Sequence, residues 1–155
     1  MAVDKLKYPR RKKRVIAGKK FNISEPTSDS SKKLQSIKAN NTNIEVIFKN
    51  ALRKSKIKYR TGKHLYGKPD IKLYEYKAVV FCDGDFWHGY NYEKMNIKNN
   101  KQFWLAKIKR NMDRDVEVNN YYIKNDYQVF RFWEHEIKND IHNCIKTINQ
   151  VLNIN

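Results

Sequence analysis

The sequence predicts an α/β protein: one domain with a central mixed β-sheet, made of an antiparallel hairpin continued by a β-α-β crossover, and flanked by helices. Three observations carry that prediction. Ile71 and Leu73 alternate after Pro69-Asp70, a polar turn follows at Tyr74 to Lys77, and Ala78 to Phe81 is apolar enough to be a buried strand. Residues 101 to 124 then carry apolar side chains at helical spacing, and Tyr127 to Trp133 alternates as a strand should. A strand, a long helix and another strand imply a right-handed crossover with parallel pairing, whereas the hairpin before it pairs antiparallel.

At 155 residues the chain suits a single domain with a substantial core. Lysine and arginine number 33 against 16 acids, giving a formal charge of +17. An excess of that size selects a polyanionic partner, with double-stranded DNA foremost, RNA weaker, and an anionic membrane surface as a further possibility. No stretch approaches the ~20 apolar residues of a membrane span, and no signal-type apolar core opens the chain, so a cytoplasmic protein, nucleoid-associated when bound to DNA, is expected. Cys82 and Cys144 are far apart and sit in apolar surroundings, which favours buried thiols over a disulfide or a zinc site. No small-molecule cofactor is implied, and the expected state is a monomer.

Residues 1 to 20 hold nine lysines or arginines, among them Arg10, Arg11, Lys12, Lys13 and Arg14, against the single acid Asp4. We read residues 1–30 as a basic arm, disordered alone and able to follow phosphates, with Ser24 to Ser31 as linker. A first helix is expected from Thr42, whose side chain can cap while Glu45 stands in capping-box spacing; Ile44, Ile47, Phe48, Ala51 and Leu52 form its stripe. Lys54 to Lys68 is basic and turn-rich, and Arg53, Lys54, Lys56, Lys58, Arg60, Lys63 and Lys68 are candidate phosphate contacts. Tyr90 to Asn100 reads as a polar loop. In the long helix, Leu105, Ile108, Met112, Val116 and Ile123 share one face. A last helix from about Asp140 to Leu152 would bury Ile141, Ile145, Ile148 and Leu152.

The chemistry concentrates where the apolar strand ends. Cys82, Asp83, Gly84 and Asp85 follow Phe81 directly, and Asp70 opens the neighbouring strand. Asp-Gly alone is turn chemistry. Two carboxylates at adjoining strand ends also suit a hard cation such as Mg2+, and His88 follows within reach of a metal-bound water. Phe86 and Trp87 cannot both face one side of a regular strand, so at least one ring should project from the sheet.

Several ordered blocks resemble the very-short-patch repair (Vsr) endonucleases, a branch of the PD-(D/E)XK nuclease superfamily. They are Pro69-Asp70, Val80-Phe81-Cys82-Asp83-Gly84-Asp85-Phe86-Trp87-His88-Gly89, Phe103-Trp104-Leu105-Ala106-Lys107-Ile108, Asn111-Met112-Asp113-Arg114-Asp115 and Val129-Phe130-Arg131-Phe132-Trp133-Glu134, extending upstream to Lys33-Leu34-Gln35-Ser36-Ile37 and Thr42-Asn43-Ile44-Glu45. The resemblance covers about residues 30 to 140. It implies a restriction-endonuclease-like fold over residues 31–155 and a Mg2+-dependent DNA endonuclease, most simply a strand-nicking mismatch repair enzyme. A restriction or homing-type nuclease of the same fold, or a non-catalytic nucleic-acid-binding module, is the alternative.

On this resemblance, with Asp83 resting on the strand-end reading alone, Asp70, Asp83, His88 and Glu45 are the candidate catalytic residues, with Asp70, the backbone carbonyl of Cys82 and Asp83 as metal ligands and His88 as general base. Taken alone, a histidine beside a tryptophan is more often a packed, hydrogen-bonded residue, and Glu45 has its capping explanation. Phe86 and Trp87 would wedge into the duplex, and Trp104, Arg110, Arg114 and the basic arm would contact DNA. The sequence departs from its relatives in two ways. Asp83 replaces a histidine of the well-known mismatch nickases, and Asp85, Tyr90, Tyr92 and His135 stand where zinc ligands are expected, so no structural zinc is expected here.

Overall fold

The computed structural model describes residues 42–154, so the basic arm, with Arg10, Arg11, Lys12, Lys13 and Arg14, lies outside the described residues. Four strands form one sheet in the order β1-β2-β3-β4: β1 is Arg60–Thr61, β2 Ile71–Leu73, β3 Ala78–Asp83 and β4 Gln128–Trp133. β2 and β3 pair antiparallel, with Ile71 opposite Val80 and Leu73 opposite Ala78. The polar turn between them closes with Lys77 at φ 50°. β3 and β4 pair parallel, with Val80 opposite Phe130 and Asp83 opposite Trp133. The crossover between them is the long helix α2, Lys101–Ile123. The mixed α/β sheet flanked by helices is therefore present as expected. Sequence reading did not separate out the two-residue β1, which pairs antiparallel with β2.

Side-chain alternation divides the core into two layers. One sheet face carries Ala78, Val80, Phe130 and Phe132, covered by α1 (Asn43–Lys54), α3 (Glu134–Asn139) and α4 (Ile141–Leu152) through Phe48, Leu52, Ile137, Cys144, Ile145 and Ile148. The other face carries Val79 and Phe81 under Val118 and Tyr122 of α2. The apolar stripe of α1 sends Ile44, Phe48 and Leu52 inward, and Asp140 caps α4 by accepting from the Asn143 N–H at 3.0 Å. Cys82 and Cys144 are free thiols, and burial pushes the Cys144 thiol up to about 11. Among the described residues, no helix is long and apolar enough to cross a membrane.

The inward face of α2 differs from the expected one. Val116 and Ile123 are 58% and 61% exposed, while Ile108, Val118 and Tyr122 are buried. Asp115 and Asn119 lie on the same inward line, because buried partners wait for them beneath the helix. A search for apolar periodicity assigns such polar residues to the solvent side and so rotates the predicted stripe.

Candidate active site

The site sits at the C-terminal end of β3, where it is reached from both layers. A cleft of about 350 Å3 is lined there by Glu45, Lys63, Asp70, Cys82, Asp83, His88, Asp115 and Arg131, with Lys68 and Arg114 also at its wall. A larger groove of about 740 Å3 between α1 and α4 shares none of these residues and is lined by no carboxylate that could hold a hard cation.

Asp70 is fixed by its neighbours in the sheet. Its N–H donates to the Val80 carbonyl at 3.1 Å, and its Oδ2 accepts from the Cys82 N–H at 2.8 Å. Gly62 passes so close beneath that a Cβ there would lie 2.7 Å from the Pro69 carbonyl oxygen. Pro69 is fully buried, and Gly67 and Lys68 both adopt positive φ, so the segment entering Asp70 is tightly shaped. Lys63, on this segment, places its Nζ 2.6 Å from Asp70 Oδ1 and 3.1 Å from Glu45 Oε1. Glu45 comes from the first turn of α1 and is 3% exposed. Lys49, one turn on, lies 3.6 Å from its Oε2.

The capping-box explanation of Glu45 is not realised. The Thr42 side chain makes no cap hydrogen bond to the backbone; its hydroxyl instead faces Glu45 Oε1 at 3.4 Å. Glu45 turns into the cleft and shares an ammonium with Asp70. Burial raises the Asp70 pKa, outweighing the Cys82 N–H and the Lys63 charge, which act to lower it. For Lys63, burial acts downward, but the hydrogen bonds and charges of Asp70 and Glu45 leave its pKa raised.

The second half of the site is a hydrogen-bonded chain of alternating charge. Arg131 donates from Nε to Asp83 Oδ2 at 2.6 Å and from Nη2 to Asp83 Oδ1 at 2.9 Å, a bidentate fork. The same Nη2 lies 2.8 Å from Asp115 Oδ1, and Nη1 donates to Asn119 at 3.0 Å. His88 Nδ1 lies 2.6 Å from Asp115 Oδ2 and 3.6 Å from Asp83 Oδ1. Burial pulls the His88 pKa down, yet the Asp115 hydrogen bond and the charges of Asp83 and Asp115 more than reverse this, and it is raised. Asp115 engages one ring nitrogen and so directs the other, the arrangement of an oriented proton-transfer imidazole.

Beside the cleft, the rings of Phe86, Trp87 and Trp104 meet edge-on at centroid distances of 5.2 to 5.9 Å. Phe86 is 39% exposed, and the Lys107 ammonium lies 5.1 Å from the Trp87 ring and 5.4 Å from that of Trp104. Arg114 stacks over Tyr66 at 5.5 Å, while Arg110 donates to the Ala106 carbonyl and is exposed.

The family described as DNA mismatch endonuclease Vsr matches residues 24–94. The type II nicking enzyme V.NmeDIP of Neisseria meningitidis serogroup C is 36% identical over 122 residues, covering 77% of this chain and 82% of that protein. The chain belongs to the Vsr endonuclease family. Another relative, the nicking enzyme V.HpaIIP of Haemophilus parainfluenzae, is 43% identical over 84 residues, with 52% of this chain and 60% of the relative aligned. The DNA mismatch endonuclease Vsr of Escherichia coli (strain K12) is 32% identical over 87 residues, 55% of this chain and 56% of that one.

Within this Vsr-family fold, Glu45, Asp70, Asp83, Cys82 and His88 line one cleft, as the strand-end reading requires. Both Asp83 oxygens, however, are taken by the Arg131 fork. Of the residues at the expected zinc positions, three form a brace: His135 Nδ1 lies 2.9 Å from Asp85 Oδ1, and the Tyr90 ring packs on His135 at 4.4 Å and on Trp133 at 5.2 Å, while Tyr92 donates to the Leu105 carbonyl at 3.3 Å. One imidazole, one carboxylate and two phenols do not make the nitrogen and sulfur donor set of a structural zinc. Sequence reasoning named Lys63 only as a candidate phosphate contact and missed its pairing with Glu45 and Asp70, and it missed the roles of Asp115 and Arg131. For the last two the available signals were their places in the family-resembling blocks and their charge on otherwise inward-facing lines.

Proposed function

We propose that this Vsr-family DNA endonuclease nicks one strand of a mismatched duplex, acting as a cytoplasmic monomer with Mg2+. The observation that carries the reading is the pair of buried carboxylates, Glu45 and Asp70, sharing one cation beside an oriented histidine. Buried anions persist where a positive charge compensates them, and Mg2+ is held by one or two carboxylates together with waters and substrate phosphate. Asp70 and the Cys82 main-chain carbonyl would hold the ion with Glu45 alongside. Bound there, it supplies positive charge against the charge that develops on the phosphate.

The chain's own groups supply the rest. His88, neutral above its raised pKa, accepts the proton of the attacking water on the nitrogen that Asp115 leaves available. Arg131 holds Asp83 and Asp115 in place, so Asp83 serves this fork and not the ion. Lys68 and Arg114 stand at the cleft wall to meet the phosphate backbone. Phe86, Trp87 and Trp104 form an aromatic edge suited to unstacking a base step, at a cost of a few kcal/mol recovered by ring stacking. Single-strand cutting is supported by the relatives that are called nicking enzymes, and mismatch recognition by the one called a mismatch endonuclease.

Supercoiled plasmid carrying a T·G mismatch and a T·G-bearing oligonucleotide duplex test the reading together. The expected result is relaxation and mismatch cleavage in Mg2+ and none in EDTA. Equal cleavage in EDTA, or double-strand cutting of matched DNA at the mismatch rate, would overturn it.

A further inference from the structure

We propose that Lys63 is the resident counter-cation of the Glu45–Asp70 pair, and that a divalent ion enters the site by displacing its ammonium. The proposal rests on the reading that the ion binds at Asp70. Lys63 spans two carboxylates whose side chains are only 4% and 12% exposed, lying 3.1 and 2.6 Å from their oxygens. An ammonium and a hard divalent ion seek the same oxygen lone pairs. Held on the same oxygens at once, they would repel each other across a poorly solvated gap. One must therefore leave when the other arrives.

The setting of Lys63 suits departure. Its ammonium stands on a flexible four-carbon stem just after Gly62, and its side chain is 27% exposed and lines an open cleft, so the stem can swing the head away from the carboxylates. Lys68 and Arg114 mark where a phosphate would approach. The displaced ammonium stays in the same cleft, with the substrate phosphate as its next anion. Lys63 thus neutralises the carboxylates in the metal-free protein and becomes a phosphate contact in the loaded one. It is a positioning residue whose occupancy sets metal affinity.

The test is Mn2+ binding to the DNA-free protein by calorimetry, with parent, Lys63→Met, Lys63→Arg and Asp70→Asn, and thermal midpoints in EDTA and in Mn2+. Lys63→Met is expected to bind Mn2+ at least about tenfold tighter, roughly 1.4 kcal/mol. It should melt below the parent in EDTA and regain that difference in Mn2+. Lys63→Arg, with a permanently charged fork matched to carboxylates, is expected to bind Mn2+ more weakly than the parent. Parent-like or weaker Mn2+ binding by Lys63→Met overturns the proposal. Should that variant fail to fold, parent-like or tighter binding by Lys63→Arg does so. Asp70→Asn separates the two claims: if it binds Mn2+ as the parent does, the ion is not at Asp70, whatever Lys63 does. If it abolishes binding while Lys63→Met changes nothing, only the displacement fails.

Discussion

Replacing Arg131 with methionine removes the one cation that ties β4 to both Asp83 and Asp115. The guanidinium makes two hydrogen bonds to Asp83 at 2.6 and 2.9 Å, a third contact to Asp115 at 2.8 Å and a fourth to Asn119 at 3.0 Å. It also covers the Phe81 ring at 4.5 Å. Asp83 has a side-chain exposure of 7% and Arg131 one of 19%, so the carboxylate left behind cannot turn to water. Removing one partner of a buried pair costs about 3–5 kcal/mol. Methionine fills much of the stem volume and Asp115 is partly solvated, which points to the lower end, about 3 kcal/mol. For a chain of this size that corresponds to a fall of roughly 10 °C in midpoint. Urea unfolding gives the free energy and its slope together, and a cycle with Asp83→Asn isolates the pair. A loss below about 1 kcal/mol with an unchanged slope would refute the reasoning, because it would mean that the fork is solvated. Arg131 also acts to lower the His88 pKa, so the same variant should titrate His88 at higher pH by NMR.

Other consequences are equally direct. Gly67 has φ +71°, and a Cβ there would lie 2.4 Å from Val118 Cγ1, so Gly67→Ala should cost at least about 2 kcal/mol in urea unfolding; a change under half that would mean that the turn relaxes freely. The folded-state pKa of His88 is raised, so its contribution to stability is complete below the unfolded value of about 6.5 and fades as pH rises through the folded value. The stability gap between parent and His88→Gln should therefore narrow from pH 6 to pH 9, and a widening gap would contradict the Asp115 pairing. Phe48 is fully buried, with its ring 5.3 Å from that of Phe132, so Phe48→Ala should lose about 3–5 kcal/mol by calorimetry.

Much of the fold was legible because its signals are local and apolar. The turn between β2 and β3, the alternation at Phe130 and Phe132, and the stripe of α1 each state their own buried face. The site was legible where it depends on strand ends, since Asp70 and Asp83 follow from where apolar runs start and stop. What escaped is what depends on polar residues pointing inward. Asp115 and Asn119 face the interior because Arg131 and His88 meet them there, and no periodicity of hydrophobic residues can reveal a helix face stabilised by charge pairs. Glu45 had a sound local explanation as a cap, and only the three-dimensional approach of Lys63 and Asp70 displaces it. Lys63 itself was one lysine among many in a basic stretch, with nothing in its neighbours to mark it as the one that turns inward.

Whether hydrolysis is centred on Asp70 is measured most directly by single-turnover cleavage of an end-labelled T·G duplex in Mg2+, parent against Asp70→Asn, with DNA affinity measured in EDTA. A fall in cleavage rate of about 10²–10³-fold or more at parent-like affinity is the expected outcome. Cleavage by Asp70→Asn at the parent's rate would show that the reaction happens elsewhere in the molecule.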